Sequence, residues 1–236
     1  AGHPSPKLFD AISKRATERL GTLSSQGIAN IVWAYAKVGH ASPELFDAIS
    51  HKTIKKIDTF NAQSLANTVL AYAKAGHYSP KLFDAISYKA MDELDTFTSQ
   101  EIANTVWAYA KIGHSSPKLF LAISYKAIEK IDTFNSQGIA NTVWAYAKKR
   151  FTSPELFDAF SQRAMKKLHT FNSQSLANTV WAYAKIGHSS PKLFDAISLK
   201  VIQKIDKFNS QGKANIVWAY AKVDHSSPEL FDAISR

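Results

Sequence analysis

The stretch FNSQSLANTVWAYAK at residues 171–185 has a near copy in every 37-residue window of the chain. Apolar residues dominate it, yet a Gln, an Asn and usually a Thr keep fixed places, a Trp follows in all copies but one, and a Lys ends it. A short unit that returns at a constant period is typical of proteins built from stacked structural repeats. The stretch therefore decides the fold class of the whole chain.

Two landmarks show that the period holds without insertions. The proline of a Ser-Pro pair returns every 37 residues at Pro6, Pro43, Pro80, Pro117, Pro154, Pro191 and Pro228. The first Gln of the quoted stretch returns in the same register at Gln26, Gln63, Gln100, Gln137, Gln174 and Gln211. The chain is therefore an array of equal units.

Each unit is predicted to contain two α-helices, and the first of them, helix A, holds the quoted stretch. Asn61 is placed to cap its N-terminus, and Gly76 suits the left-handed conformation in which many helices end. In the third copy, Thr98 and Glu101 have the spacing of a capping box.

The second helix, helix B, begins at the Ser-Pro pair. Ser79 is placed to cap it, and Pro80 takes its first turn, where a missing N–H group costs nothing. Apolar residues then recur at helical spacing and give helix B one apolar face: Leu82, Phe83, Ile86, Ala90 and Leu94. Because the connections have about five residues, the two helices are expected to lie antiparallel.

An isolated pair of such helices cannot bury its apolar faces, whereas stacked pairs share a continuous core. We therefore expect an all-α fold, an α-solenoid of antiparallel two-helix repeats wound into a right-handed superhelix with helix A on the concave side. The expected units are helix B of a truncated repeat at 1–20, repeats at 21–57, 58–94, 95–131, 132–168 and 169–205, and a last repeat at 206–236 that is truncated in its second helix. Neither end has the polar outer face of a terminal repeat, so we expect an excerpt of a longer array.

Composition limits the classes of partner. The formal net charge of +10 favours an anionic partner, with nucleic acid first, anionic membrane second and an acidic protein third. The chain has no cysteine, which excludes disulfides and thiolate zinc sites. No apolar run approaches the eighteen or so residues of a membrane span, and neither a targeting segment nor a cofactor or metal motif is found.

A helical wheel divides helix A into a seam against helix B and two further stripes. The seam is predicted from Ile28, Ala29, Val32, Tyr35 and Ala36. The "constant stripe" joins the Gln, Asn, Trp and Lys positions, as at Gln26, Asn30, Trp33 and Lys37. Its asparagines are Asn30, Asn67, Asn104, Asn141, Asn178 and Asn215, and its lysines are Lys37, Lys74, Lys111, Lys148, Lys185 and Lys222.

The third stripe, here the "small-residue stripe", is where the copies differ. Its first position is Gly27, Ser64, Glu101, Gly138, Ser175 and Gly212. Its second position is Ile31, Thr68, Thr105, Thr142, Thr179 and Ile216. It continues through the alanine at position 34 and the equivalents of that alanine. We expect an open surface between the last two stripes, near Asn178, Ser175, Ala182 and Lys185.

These stripes match what a modular binder of single-stranded RNA needs. Helical-repeat proteins can read about one base per repeat with two or three side chains. Asn, Thr and Ser side chains can donate to and accept from base edges, a Glu can accept, and lysines at a fixed pitch can contact phosphates. We therefore predict base contacts from the asparagines and the small-residue stripe, and phosphate contacts from the six lysines together with Lys149 and Arg150.

The segment NSQSLANTVWAYAKIGHSSPKLF resembles the octotricopeptide repeat and the related 37-residue heptatricopeptide repeat, and the similarity covers the whole chain. The resemblance implies sequence-selective binding of single-stranded RNA in the stabilisation, processing or translation of organellar transcripts. It also implies a mitochondrial or chloroplast location, although this chain shows no targeting segment. The base-reading positions implied by the family pattern are Gly27, Ser64, Glu101, Gly138, Ser175 and Gly212. Leu70, Lys213 and the run 149–151 depart from the family pattern, and the companion RAP domain is absent.

Several alternatives stay open at the level of sequence. The asparagines could form a structural ladder between repeats, the Trp side chains favour the core over a stacking role, and the lysines could be solvated surface. A peptide-binding or protein-binding scaffold that uses an Asn ladder is the main functional alternative, with protein partners on the convex face also open. An enzyme is not expected, because no unique catalytic constellation stands out from the repeats. The histidines His3, His40, His77, His114, His188 and His225 share one loop position, and metal binding there is not expected.

Overall fold

The helices of the computed structural model, which describes residues 5–40 and 42–235, follow the 37-residue period. Six of its helices occupy the helix A position: α2 Ser25–Val38, α4 Ala62–Ala75, α6 Ser99–Ile112, α8 Ser136–Lys149, α10 Ser173–Ile186 and α12 Ser210–Lys222. Seven occupy the helix B position: α1 Pro6–Arg19, α3 Pro43–Lys55, α5 Pro80–Asp92, α7 Pro117–Glu129, α9 Pro154–Lys167, α11 Pro191–Ile202 and α13 Pro228–Ser235. No strand occurs in the part of the chain that the structure describes, so the all-α solenoid of two-helix repeats is confirmed.

The predicted signals at the ends of helix A are confirmed. The Asn61 side chain accepts a hydrogen bond from the backbone N–H of Ser64 at 2.9 Å, and Gly76 is left-handed with a φ of 69°. In the third copy, Glu101 accepts from the N–H of Thr98 at 2.7 Å while the Thr98 hydroxyl accepts from the N–H of Glu101 at 3.3 Å. These bonds satisfy backbone donors that a helix terminus would otherwise leave unpaired.

Helix B begins and ends differently from the prediction. Pro80 takes the first turn as expected, but the Ser79 hydroxyl does not cap the helix. Serines at the equivalent position instead meet a serine of the preceding helix B, with Oγ–Oγ distances of 2.9 Å for Ser42 to Ser13 and 2.7 Å for Ser116 to Ser87. Helix B also stops early, and short 3-10 helices follow it at Ile57–Thr59, Leu94–Thr96, Ile131–Thr133, Leu168–Thr170 and Ile205–Lys207.

The chain divides into two compact units, as far as their residues are described: Ala1–Phe97 with Trp107–Ala122, and Thr98–Val106 with Ile123–Arg236. Within the first unit, α2 packs beside α4 and α3 beside α5. Within the second unit, α10 packs between α8 and α12, and α11 packs between α9 and α13. Helices of one kind therefore lie side by side in each unit, with a core between the two kinds.

The predicted core faces are buried, except that Ala36 is half-buried. In helix A, Ile28 and Val32 are fully covered and Tyr35 is nearly so. In helix B, Leu82, Phe83, Ile86 and Ala90 are fully covered, and Leu94, in the 3-10 helix that follows, is also buried. The superhelix handedness and the concave placement of helix A stay predictions. The predicted limits at residues 1 and 236, and His3, lie outside the described residues.

A tyrosine in helix A ties each repeat to the one before it. The Tyr72 hydroxyl donates to the backbone carbonyl of Phe46 at 2.6 Å, and Tyr183 donates to that of Phe157 at 2.6 Å, each bond spanning 26 residues. Burial raises the pKa of Tyr183 well above its ordinary value, which keeps the hydroxyl a donor at any working pH. Tyr35, Tyr109 and Tyr220 make the same bond.

A histidine after helix A adds a second tie between repeats. The Nε2 atom of His77 lies 2.9 Å from an Asp47 carboxylate oxygen, and the same pair joins His188 to Asp158 at 2.9 Å. His40, His114 and His225 pair in the same way with Asp10, Asp84 and Asp195. At one junction between neighbouring repeats both members are replaced, with Leu121 at the Asp position and Phe151 at the His position. The loop histidines are thus structural.

The buried tyrosine bond predicts a stability effect. Tyr183→Phe keeps the ring and removes the hydroxyl that reaches the Phe157 carbonyl. We expect the free energy of unfolding to fall by about 1–2 kcal/mol. Urea unfolding followed by circular dichroism measures it, with the 68%-exposed Tyr125 changed to Phe as the control. Equal values for the two variants would contradict the role of this bond.

Among the described helices, none has the length and apolar content needed to cross a membrane.

Candidate functional site

The constant stripe lies at the surface of helix A. Its glutamines and lysines are exposed in all six copies. Asn30 is exposed and the other five asparagines are half-buried. The polar side chains of the stripe are thus accessible to a ligand and are not part of the core.

The asparagine side chains are the unusual part of this stripe. Among the described residues, five of their amides make no hydrogen bond to the protein: Asn30, Asn67, Asn104, Asn141 and Asn178. The sixth, Asn215, accepts from Gln211 Nε2 at a long 3.4 Å. A structural ladder of asparagines between repeats is therefore not present. Each free amide retains donors and an acceptor, and both can serve a ligand.

The lysines of the constant stripe lie seven residues after the asparagines, about 10 Å along the helix axis. Within the described residues, none of the six forms an ion pair with an acidic side chain. Lys74 places its Nζ atom 4.2 Å from the centroid of the Trp33 ring, a cation–π contact. The positive charges are therefore available to an anion, and one of them is positioned by a neighbouring aromatic ring.

The two additional cations predicted to contact phosphate, Lys149 and Arg150, occupy the end of α8. Arg150 takes the left-handed position that other repeats give to glycine, with a φ of 53°, and it is exposed. Lys149 is half-buried, and this burial lowers its pKa below the ordinary value. Of the two, Arg150 is the more accessible to an anionic ligand.

The tryptophans are less buried than the sequence interpretation favoured. Trp33, Trp107, Trp144 and Trp181 are half-buried, and Trp218 is 39% exposed, whereas Leu70 at the same position is buried. In the second unit, the rings of Trp181 and Trp218 have centroids 6.3 Å apart at an interplanar angle of 35°. The tryptophans therefore lie at the edge of the core with part of each side chain accessible, and their core role stays a prediction.

The small-residue stripe is the main error of the sequence interpretation, because most of it is buried. Ser64 and Ser175 are at most 5% exposed, and Gly138 is buried as well. At the second position the buried side chains are Thr68, Thr105, Thr142, Thr179 and Ile216, none more than 1% exposed. Ala182 is fully buried too, so the open surface expected beside Ser175 does not exist.

The cause is lateral packing between successive copies of helix A. A Cβ atom built on Gly138 would lie 3.8 Å from the Cβ of Ala103, which belongs to the preceding helix A. The Thr68 and Thr179 hydroxyls turn back to donate to the carbonyls of Ser64 and Ser175. The stripe therefore joins neighbouring helices, and its buried members have no surface to present to a base.

At the first two positions of this stripe, four residues remain partly exposed: Gly27, Ile31, Glu101 and Gly212. Ala34, further along the stripe, is exposed. The Glu101 carboxylate is occupied, since it accepts from both the N–H and the hydroxyl of Thr98. Gly212 lies in an open cleft between α10 and α12, together with Asn178 and Asn215. In this cleft, predicted residues of both stripes meet in an open cavity.

The resulting surface combines three chemistries on one helix face. A free amide can pair with the edge of a base, a half-exposed indole can stack on a base, and an unpaired ammonium can contact a phosphate.

The described residues contain no cluster of potential metal ligands.

Comparison with known proteins gives one finding. The model of the family described as RNA-editing substrate-binding complex 6 protein (RESC6) matches residues 2–236. No curated protein matches the chain significantly.

Proposed function

The chain belongs to the RNA-editing substrate-binding complex 6 protein family, and from this premise we propose that it binds single-stranded RNA along the surface formed by its helix A segments. The observation that carries the proposal is the set of five asparagine amides without a protein partner, beside unpaired lysines. Polar groups near a protein surface that lack protein partners are suited to meet the hydrogen-bonding edges of unpaired bases.

The proposed binding mode assigns a separate contact to each part of the constant stripe. The asparagines contact base edges, the tryptophans support the base faces, and the lysines contact phosphates, with Arg150 and Lys149 adding charge beside α8. About one nucleotide per repeat is proposed by analogy with other helical-repeat proteins. Binding is selective for sequence and involves no catalysis.

The proposed biological role follows the family description and the repeat resemblance. The name of the family refers to the substrate of an RNA-editing complex. We propose that this chain holds such an RNA, in keeping with the post-transcriptional roles in organelles that its octotricopeptide-like and heptatricopeptide-like repeats imply. Other proteins of the complex would bind the helix B side.

A selection from a random single-stranded RNA pool tests this proposal. We expect enrichment of short sequences, with affinity well above that for an RNA duplex of the same composition. An array of free asparagine amides also suits the backbone of an extended peptide, so a peptide library serves as the second arm. Enrichment of peptides without enrichment of RNA would replace the proposal with the scaffold alternative.

A further inference from the structure

The cleft between α10 and α12 differs from the rest of the helix A surface. It has a volume of about 390 Å³, and its polar lining includes Gln174, Asn178, Lys207, Gln211 and Asn215, with Gly212 at its side. All of these residues belong to the second unit. A cavity of this size with several convergent polar groups is typical of a binding site for a small organic group.

The entrance of the cleft lacks a hydrogen bond that other repeats make. Other repeats end their 3-10 helix with a threonine such as Thr170, whose hydroxyl donates to the Lys167 carbonyl at 2.7 Å. The carbonyl of that threonine in turn accepts from Ser136 of the preceding helix A at 3.1 Å. The same bridge joins Ser25 to Thr59 and Ser99 to Thr133.

The last repeat has Lys207 in place of this threonine, and the bridge is missing. Ser173 stands where the bridging serine belongs, yet its hydroxyl makes no hydrogen bond to any described residue. Nearby, Phe208 is 8% exposed, whereas its counterparts Phe60 and Phe171 are at most 1% exposed. The entrance between α10 and α12 is therefore open, whereas this bridge closes three other pairs of neighbouring helix A segments.

The groups that line the cleft favour a ligand with a hydrogen-bonding edge and a negative charge. The side-chain amide of Asn178 makes no hydrogen bond to a described protein group. The Asn215 side-chain oxygen accepts from Gln211 Nε2, and its NH₂ group makes no hydrogen bond to the described protein. Lys207 is exposed and pairs with no acidic side chain in the described structure. The cleft thus combines one positive charge with several side-chain amides.

We propose that this cleft binds one extruded nucleotide of the RNA, with its base edge on Asn178 and Asn215 and its phosphate on Lys207. The proposal rests on the proposed function and deepens it, because it names a single nucleotide that is held more specifically than the others. The remaining nucleotides lie along the open helix A surface.

Gly212→Ser tests the cleft without threatening the fold. Ser64 and Ser175 already hold a serine at this position, and the new Cβ would lie 3.3 Å from Asn209 Oδ1 and Phe208 Cδ1. The matched control is Gly138→Ser, whose Cβ would meet Phe134 and Asn135 at 3.2 and 3.3 Å in a buried place outside the cleft. The probe is a single-stranded RNA selected with the unmodified chain, in which abasic sites replace one nucleotide at a time.

With the unmodified chain, an abasic site at the cleft nucleotide is expected to weaken binding about tenfold, the loss of one good base contact. Gly212→Ser should weaken the intact RNA by a similar factor and remove the penalty at that nucleotide alone, while Gly138→Ser keeps the full profile. If Gly212→Ser also keeps the full profile, the cleft proposal is wrong and the proposed function stands. If the unmodified chain fails to bind single-stranded RNA, both are wrong.

A second pair of variants tests the phosphate contact with equal changes of charge. Lys207→Thr restores the residue of the other repeats and should weaken RNA binding about tenfold. Lys213→Ile also removes one charge and restores the apolar residue of the other copies, but Lys213 does not line the cleft. We expect a clearly smaller effect from it. Equal losses would mean that Lys207 contributes only general charge, and the phosphate contact would be withdrawn.

Discussion

Removal of three free amides should abolish most of the RNA affinity while leaving the fold intact. The variant combines Asn67→Ala, Asn104→Ala and Asn141→Ala, side chains that bond no described protein group. Each amide that contacts a base contributes about 1–3 kcal/mol, so we expect affinity to fall at least about a hundredfold. Fluorescence anisotropy with a selected single-stranded RNA gives the affinity.

The same variant separates a ligand role from a structural role. Surface substitutions that break no protein contact change stability by about 0.5 kcal/mol or less. Thermal unfolding should therefore stay close to that of the unmodified chain, and Gln162→Ala on helix B should change neither quantity. A large loss of stability with normal RNA affinity would instead show that the asparagines hold the repeats together.

Replacement of three lysines of the constant stripe should change the salt dependence of binding. The variant is Lys74→Gln, Lys148→Gln and Lys185→Gln, three exposed side chains without an acidic partner. Each lost phosphate contact lowers the slope of log affinity against log salt concentration by about 0.7 for single strands, so we expect a decrease of about 2. Affinity should fall by a similar factor for every RNA sequence, because phosphate contacts carry no sequence information.

Three helix B lysines provide the matched control. Lys81, Lys118 and Lys192 are equally exposed and lie in the first turns of α5, α7 and α11. Their replacement by Gln removes the same net charge from the other kind of helix. Titrations at several salt concentrations should show a much smaller change of slope. If the two triple variants lose slope equally, the lysines of the constant stripe act only through net charge.

Sequence alone predicted the elements of this fold well, because each is marked by local chemistry. Asn61, Gly76 and Pro80 mark helix ends through hydrogen bonding and backbone conformation that depend on few neighbours. The exception is Ser79, whose role as an N-terminal cap was expected from the same rules. Serines at its position bond to the preceding helix B, and no local rule contains that information.

The site was predicted less well, because a helical wheel shows the direction in which each side chain points but not which other helix packs against it. Ser64, Thr68 and Ala71 lie along one stripe, and a stripe of small residues often marks close approach of two helices. That signal was present, but variation at Ser64 and its counterparts was interpreted as specificity for a ligand. Trp33 was expected in the core, and it is half-buried on the stripe that also carries the exposed Lys37.

The bonds that tie repeats together span 26, 30 and 34 residues, as in Tyr183 to Phe157, His188 to Asp158, and Ser136 to Thr170. Every span is shorter than the 37-residue unit, so each unit depends only on its immediate neighbour. Where a unit has the common residues at these positions, its duplication or deletion would therefore leave each of these bonds with both partners. Such proteins can evolve in steps of one unit. If each repeat binds one nucleotide, as proposed above, each step would lengthen or shorten the recognised RNA by one nucleotide.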